Sequence, residues 1–594
     1  MDSPLSRVEL ELVDSLDKAL ELKRWLGQRR ETPLGVDTET TGFNAFKAGE
    51  RIRLGQLGDM RKGWAIPWDQ WGGVFMEAVT RYEGPLVFHN SSFDIKWMQK
   101  HAYPTWKAPW DRIHDTMTMA HLYDPTRPRG LKPLADRIVD PRASAGSDAL
   151  SDGMKQQGWT WATVPFNFAP YWVYAALDPV LTVHVWEKLH KEIETEFAGP
   201  YDLEMNAARI CTNMMEHGAL IDVPYVEKAI HGLREYASQC RDWLRGNYGI
   251  TSPQSGGQIQ RAFERLGVPI LFHTAGGAAS FDKDALQFYI NEFPQAEQLA
   301  TTIRAVRRVE KTIGTYLENF LEMMDSGHRV HPSLWVAGAK TSRMSCSDPN
   351  LHNLTRDDKY VRGSIIAQEG YVLMSIDADQ IEARLTAHFS QDPGLIEAFH
   401  EADRTGKDFF SIIASEIFST VIEKKDPRRQ RTKNTFYGKI YGAQTPKMAA
   451  TAGIPVQQMA EFHGALNARY PGLNAYMEAT MAEGRHNLVR GMPSVVTPTG
   501  RRLMCTPGKE YTLANFKAQG HAAEVLKMGG TRLDAAGYGQ YLVIPVHDEF
   551  ILEAPASQAE AILHEAEEAL ADRTSYSVPI TWGGEIMKER WVKS

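Results

Sequence analysis

Cysteine is scarce in this chain. There are four in 594 residues, Cys211, Cys240, Cys346 and Cys505, and they lie far apart. Their spacing fits neither a zinc site nor a disulfide framework, which points to a reducing, cytoplasmic setting. Long apolar runs are also missing. No stretch reaches bilayer-spanning length, and the opening MDSPLSRVELELVD lacks a signal-peptide core. Positive charge is not in excess, because the formal net charge is −8. That argues against a uniformly basic nucleic-acid binder, yet an acidic bulk can carry a local basic groove. Repeats and low-complexity tracts are absent. What is present is a globular composition rich in aliphatic and aromatic residues, too long for one core, so roughly two to four domains are expected.

Between residues 32 and 60, strand-like runs (PLGVDTETTG, RIRLGQLGD) alternate with turns. PLVFHNSSFD (85–94) is another strand ending in polar residues, and helical patterns continue to about residue 196. The alternation predicts an α/β domain. DPRASAGSDALSDG (140–153) reads as a small-residue loop and FAGP (197–200) as a linker. Residues 201–330 read as long amphipathic helices. Strands return near 371–376 and 541–552, around a mainly helical stretch at 392–490. Two basic clusters stand out. In RAVRRVEK, Arg304, Arg307, Arg308 and Lys311 share one helical face, and KKDPRRQRTK (424–433) holds six basic residues. A solvated face and a phosphate-binding face both explain such clusters.

In VIPVHDEFIL (543–552), His547, Asp548 and Glu549 sit between two strand-like runs. Aspartate is a common turn residue, so a hairpin tip accounts for it locally. A second lone aspartate changes the weighting. Tyr371–Ile376 is a buried-strand run that ends in Asp377 just before a helical pattern. Asp377 and Asp548 could share two Mg²⁺ ions. In RRQRTKNTFYGKIYG (428–442), Arg429, Lys433, Tyr437 and Tyr441 recur every fourth residue, giving one helix face of two cations and two aromatic rings. Cations suit a triphosphate and flat rings suit a base or sugar. A core-packing helix with a basic end explains the rings but not their alignment with the cations. Near the N-terminus, Asp37 and Glu39 share one strand face, while Asp94 follows in HNSSFD and Tyr174 and Asp178 in YAALD. Any one of these acids could be a cap or a turn; together they could hold two metals and orient a water.

The three later segments, in this order and spacing, resemble motifs A, B and C of family A DNA polymerases, and the similarity extends over essentially the whole chain. The resemblance implies that Asp377 and Asp548 bind the metals and that Glu549 is the adjacent acid. His547 and Arg343 would meet the primer side. Gln380 and Glu382 belong to motif A, Glu382 being the steric gate against a ribose 2′-hydroxyl. Arg429 and Lys433 would bind the triphosphate, with Lys433 as proton donor to pyrophosphate. Tyr437 would lie against the incoming sugar, and Tyr441 with Gly442 at the templating position. TSRMSCSDPNLHNLTR (341–356) resembles the family's TGRLSSSDPNLQNIPxR and places Arg343, Asn350 and Arg356 on DNA. TPTGRR (497–502) and NFKAQGHAAEVLK (515–527) add Asn515 and Gln519. RRVEKTIGTY (307–316) resembles the thumb helix that grips duplex phosphates, through Arg307, Arg308 and Lys311. The N-terminal set resembles a DEDDy 3′–5′ exonuclease. Asp37, Glu39, Asp94 and Asp178 are then ligands, Tyr174 orients the water and Asn90 shapes the turn before Asp94.

The implied architecture is α/β and multidomain. An RNase H-like 3′–5′ exonuclease (1–196) is followed by a right-hand polymerase, with a helical thumb (201–335), a palm (336–391 and 491–594) carrying an antiparallel sheet, and helical fingers (392–490). The implied activity is DNA-templated primer extension with dNTPs and proofreading, using two Mg²⁺ ions at each site, with Mn²⁺ as a substitute. A monomer is expected in the cytoplasm of the host cell of a phage, with primer–template DNA, dNTPs and replisome proteins such as a helicase or single-strand-binding protein as partners. No membrane association, preceding 5′-nuclease domain or thioredoxin-type processivity partner is expected. Glu382 and the attached exonuclease argue against a single-subunit RNA polymerase. Some positions depart from the family pattern. Motif A reads DADQIEAR, so Ala378 replaces an aromatic and Asp379 adds a charge near the metals. His352 replaces a glutamine. Phe410 replaces a triphosphate-contacting histidine, with Lys407 a candidate substitute.

Overall fold

The structure is a computed structural model that describes residues 4–101, 106–354, 358–452 and 454–592. Two compact units form. One comprises Met1–His217, Ser333–Ser347 and Met374–Ile586, and the other Gly218–Pro332, Asp348–Leu373 and Met587–Ser594.

The N-terminal part of the first unit is built on a mixed six-stranded sheet. Its strands are β1 (Glu9–Leu12), β2 (Leu34–Thr40), β3 (Ile52–Gly58), β4 (Lys62–Pro67), β5 (Leu86–Phe88) and β6 (Ile113–Asp115), in the order β1-β4-β3-β2-β5-β6. β3 runs antiparallel to β2 and β4, and the other pairs are parallel. Helices α1 (Leu16–Gly27), α2 (Trp68–Arg81), α3 (Ser91–His101), α4 (Thr116–Tyr123), α5 (Leu131–Ile138), α6 (Ala145–Gln157) and α7 (Ala169–Glu196) surround it. Two glycines let α7 lie directly on the sheet. A Cβ at Gly35 would come within 2.2 Å of the Pro179 carbonyl oxygen, and one at Gly63 within 1.9 Å of that of Ala176. That close approach brings the α7 residues Tyr174 and Asp178 to β2.

Two sequence expectations give way here. Residues 145–157 are helical rather than a loop, because Leu150 and Met154, one turn apart, bury themselves and Gly158 ends the helix in the left-handed region. The expected linker at 197–200 is nearly absent. Only Phe197 separates α7 from α8 (Ala198–His217), and its ring is fully buried, which fixes the joint.

The second unit is helical, as its sequence predicts. It contains α9 (Val223–Tyr248), α10 (Gly256–Arg265), α11 (Lys283–Glu292) and α12 (Pro294–Lys311), with a small sheet of Ala219–Ile221, Arg329–Val330 and Ile365–Ile366. Phe263, Tyr289, Leu299 and Ile303 form its core.

The rest of the first unit begins with the hairpin β7 (Ser333–Trp335) and β8 (Ser345–Ser347). A four-stranded sheet follows, made of β9 (Tyr371–Ala378), β10 (Leu542–Val546), β11 (Glu549–Pro555) and β12 (Trp582–Lys588) in the order β10-β11-β9-β12, with β10 and β11 antiparallel. Helices α13 (Ile381–Ser390), α14 (Pro393–Thr405), α15 (Phe409–Phe418), α16 (Pro427–Ile440), α17 (Thr445–Ala452), α18 (Val456–Arg469) and α19 (Pro471–His486) fill the helical stretch, and α20 (Leu513–Ala535) packs later. Among the described residues no helix is long and apolar enough to cross a membrane.

Candidate active sites

The first site lies at the end of β2. Strand alternation puts Asp37 and Glu39 on one face. Asp94 enters from the first turn of α3 and Asp178 from α7, with Tyr174 one helical turn before it. Thr38 donates its hydroxyl to Asp94 Oδ1 at 2.6 Å. Burial raises every carboxyl, Asp94 to about 7 and Asp178 upward even though Lys132 opposes the shift, and repulsion from neighbouring acids adds to it at Asp37, which lies well above its usual range, and at Glu39, raised to about 8. Tyr174 is pushed up by Asp178 first and by burial second. All five residues expected from the sequence meet here. A sixth was missed: Lys132 forms an ion pair with Asp178, and its ammonium lies 4.2 Å from the Tyr174 ring centre. The run GLKPLADRI gave a single lysine on a helical stretch, with no signal to separate it from any exposed lysine. Asn90 adopts φ 74° in the turn before Asp94 and donates its backbone N–H to Asp115 at 3.2 Å.

The second site lies where β9 ends and β11 begins. The backbone N–H of Ala378 donates to the Asp548 carbonyl at 3.0 Å, which sets Asp377 beside Asp548. Asp548 occupies a two-residue hairpin tip between the paired Val546 and Glu549. His547, the other tip residue, has φ 56°, a left-handed conformation that costs a non-glycine residue about 1–2 kcal/mol. Burial raises the Asp548 carboxyl to about 6, with Glu382 and Asp377 adding to the shift and Arg343 opposing it. Glu549 is buried and receives the Ser375 hydroxyl, two residues down the Asp377 face of β9. It therefore sits one step deeper than the Asp377–Asp548 pair.

Glu382, in the first turn of α13, is held from two sides. Arg343 donates to one carboxylate oxygen, and the Tyr441 hydroxyl donates to the other at 2.9 Å. Burial, then Glu382, raises the Tyr441 hydroxyl to about 12. The Tyr441 ring lies 6.0 Å from that of Tyr437, whose hydroxyl is raised by burial and then by Glu382, Tyr441 and Asp548. The aromatic end of the α16 face thus meets Glu382 and lies within electrostatic range of Asp548. At its cationic end, Arg429 donates two hydrogen bonds to Asp408, through Nε at 2.8 Å and Nη2 at 2.5 Å. Burial alone would raise the Asp408 carboxyl, but Arg429 and Ser411 outweigh it and hold it low. The Phe410 ring is wholly buried and lies 5.8 Å from both the Arg429 and Lys433 cationic groups. Gln380 caps α13 at φ 50°. Asn515 and Gln519 lie one turn apart on α20, and Gln519 reaches the Tyr441 hydroxyl.

Some departures resolve differently from the sequence expectation. Asp379 receives the Thr581 hydroxyl at 2.9 Å and donates its N–H to the Thr581 carbonyl, so its charge is engaged by the neighbouring strand rather than by the carboxylate pair. Lys407 pairs with Glu401 at 3.6 Å and stands exposed. In the second unit, Arg307 donates to the Pro253 and Phe281 carbonyls, which makes it an internal brace. Arg308 and Lys311 remain exposed along a groove of about 890 Å³. Asn350 caps the short turn Leu351–Asn353, accepting the Asn353 N–H at 3.2 Å, and His352 is buried. Arg356 lies outside the described residues.

Comparisons with known proteins agree with this arrangement. A family model described as a 3′–5′ exonuclease matches residues 11–194, and one described as DNA polymerase family A matches residues 226–592. A DNA polymerase of Mycobacterium phage D29 is 26% identical over 581 residues, covering 94% of this chain and 93% of the relative. DNA polymerase I of Pseudomonas aeruginosa is 28% identical, covering 94% of this chain and 63% of that protein. A solved structure, the POL domain of Pol1 from M. smegmatis with DNA primer–template and dNTP, shares the fold with a TM-score of 0.77 at 22% identity, covering 96% of this chain and 98% of that one. The polymerase family model spans more than half of the sequence, so the chain belongs to DNA polymerase family A, with a 3′–5′ exonuclease domain at its N-terminal side.

Proposed function

We propose that the chain extends a primer 3′ end with dNTPs on a DNA template and removes mispaired 3′ ends in its N-terminal domain. The observation that carries this reading is the convergence of Asp377, Asp548, a doubly clamped Glu382 and the aromatic end of the α16 face. The carboxylates fit hard divalent cations. Burial and repulsion leave them short of positive charge, and magnesium accepts a few carboxylates together with water and phosphate oxygens. Among the described residues no three or more His, Cys, Asp or Glu side chains are grouped as they would be around a metal ion, so binding would draw the carboxylates together. Asp377 and Asp548 would hold the ions at one site, and Asp37, Glu39, Asp94 and Asp178 those at the other. Bound there, Mg²⁺ or Mn²⁺ supplies Lewis-acid stabilisation of phosphoryl and attacking oxygens.

The remaining work falls to side chains. Arg429 and Lys433 receive the triphosphate, with Asp408 aiming the Arg429 guanidinium. Lys433 Nζ gives a proton to the departing pyrophosphate. Tyr437 and Tyr441 bear on the sugar and the templating position, while the fixed Glu382 carboxylate crowds a 2′-hydroxyl. His547, Arg343, Asn515, Gln519 and Asn350 contact primer–template, and Arg308 and Lys311 take duplex phosphates. Catalysis on this reading is positioning and electrostatics without a covalent enzyme intermediate. At the exonuclease site Tyr174 orients the attacking water. The phage relative supports phage DNA replication as the setting; the reading is completed by a monomer in a host cytoplasm, beside a helicase and a single-strand-binding protein.

The test is a 5′-labelled primer on a longer template with Mg²⁺, with and without dNTPs. Growth with dNTPs and shortening without them is expected. A primer that neither grows nor shortens would overturn the reading.

A further inference from the structure

The loop from Ala337 to Arg343 closes hairpin β7–β8 and delivers Arg343 to Glu382. Its backbone is folded tightly on itself. Gly338 and Ala339 donate their N–H groups to the Arg343 carbonyl at 2.9 and 3.2 Å, and Ser342 donates to the Ala339 carbonyl at 2.9 Å. Gly338 has no space for a side chain, since a Cβ there would lie 2.0 Å from Ser345 Oγ.

Two walls hold this loop. On one side, Lys527 of α20 donates to the Ser342 carbonyl at 2.8 Å and to its hydroxyl at 2.6 Å. Lys527 also pairs with Glu204 of α8 at 2.6 Å, and Ser342 donates its hydroxyl to the same Glu204 oxygen at 2.8 Å. Lys527, Glu204 and Ser342 are fully buried, and Ser342 is held at φ 62°, just before Arg343. The other wall belongs to the exonuclease domain. Arg129 donates to the Ala337 carbonyl and, more weakly at 3.4 Å, to that of Gly338. His121 of α4 approaches the Ala339 carbonyl through Nε2 at 2.9 Å. Burial, reinforced by Arg501 and Arg129, drives the His121 pKa down to about 3, so the ring is neutral and the carbonyl fixes the proton on Nε2. Three consecutive carbonyls are thus taken by exonuclease side chains. The cavity along this seam measures only about 20 Å³, room for about one water.

We propose that Arg129 and His121, which lie in the exonuclease domain, are positioning residues for the polymerase site: they fix the Ala337–Ser342 backbone and through it the direction in which Arg343 meets Glu382. The inference rests on the reading of Glu382 as the sugar gate. The same seam reaches back to the other site. Asp115 faces Arg129 electrostatically, caps α4, and accepts the Asn90 and Ser91 N–H groups in the turn before Asp94. A shift in that turn has a route to Arg343 through the electrostatic contact of Asp115 with Arg129 and the Arg129 hydrogen bonds to the loop.

The test uses the full chain and a primer whose terminal linkage is a phosphorothioate, so that hydrolysis does not interfere. Single-turnover extension is measured with a dNTP and with the matching ribonucleotide, well below each variant's melting midpoint. Arg129→Met removes the donors and keeps the bulk; His121→Leu removes the donor; His121→Gln restores an N–H. Loss of a charge-assisted hydrogen bond corresponds to roughly a tenfold effect. Arg129→Met is therefore expected to lower dNTP extension about tenfold and to narrow the dNTP-over-ribonucleotide ratio. His121→Leu should act in the same direction, and His121→Gln should recover most of the wild-type ratio. Residues that merely glue two domains would lower the melting midpoint and leave the ratio unchanged, and that result overturns the proposal. Glu382→Ala separates the two readings. If it fails to admit ribonucleotides the gate assignment falls; if it admits them while the Arg129 and His121 variants keep the wild-type ratio, only the positioning role falls.

Discussion

The two carboxylate sites solve one electrostatic problem in opposite ways. At the exonuclease site four acids face one another, Asp94 and Asp178 buried and Asp37 and Glu39 half-buried, with Lys132 as the close cation, and Glu39 and Asp94 are driven to about 8 and about 7. At the polymerase site two acids stand near Arg343, and Asp548 rises only to about 6. The first site raises its carboxyls mainly by burial, with stored repulsion among carboxylates adding at Asp37 and Glu39. The second is tempered by the protein's own cations and by the clamp on Glu382. A site built the first way should depend on its cations for stability as well as for chemistry, and the second mainly for chemistry.

The contrast is broken most severely by removing one acid from each site. Asp548→Asn should reduce primer extension about a thousandfold while leaving digestion of a single strand intact, and Asp178→Asn should do the reverse. Gel assays of both activities on both variants check this; loss of both activities in either variant would contradict the separation. Next in size is the latch on Arg429. Asp408→Asn removes the partner that aims the guanidinium, so KM for dNTP should rise about tenfold with a smaller change in kcat. Steady-state kinetics at several dNTP concentrations separates the two parameters.

The effect on stability is smaller and depends on pH. Carboxyls whose folded pKa lies at about 7 and about 8 keep protons that the unfolded chain releases near pH 4. Their contribution to stability is complete below roughly pH 4 and declines as pH rises through the folded values. In a chelator the melting midpoint should therefore fall by several degrees between pH 5 and pH 8. Mg²⁺ should restore much of that loss at pH 8, and Asp37→Asn should make the chain less sensitive to chelation. Calorimetry across this range decides it, and equal midpoints with and without Mg²⁺ at pH 8 would count against the stored-repulsion account. The smallest effect belongs to Asp379. Because Thr581 engages it, Asp379→Ser should shift the Mg²⁺ dependence of extension by less than about twofold.

Much of both sites could be read in the sequence because strand ends and helix faces repeat with fixed periods. Asp37 with Glu39, and Arg429 through Tyr441, are legible as single faces. Long-range partners are not. Nothing local distinguishes Lys132 from a solvated lysine or Asp408 from a plain N-cap, since each gains its meaning from a residue tens of positions away. Arg307 shows the converse: its spacing placed it on the basic face, yet its guanidinium reaches inward to two loop carbonyls. In 140–153 glycine, serine and aspartate suggest a loop, yet residues 145–153 belong to a helix. The burial of Leu150 and Met154 against the α7 side decided otherwise.

Glu204 carries a practical consequence. It lies in α8, at the edge of the N-terminal region, and is fully buried against Arg501 and Lys527. Burial alone would raise its carboxyl, but those two cations keep it ionised. A truncation designed to yield a proofreading-free enzyme by discarding the first 217 residues would remove the carboxylate these two cations share; Arg501 keeps Glu524 at 2.9 Å, but Lys527 is left hydrogen-bonded only to the neutral oxygens of Ser342. An engineer who wants such an enzyme should silence the nuclease by a point change in its carboxylates and keep the domain attached.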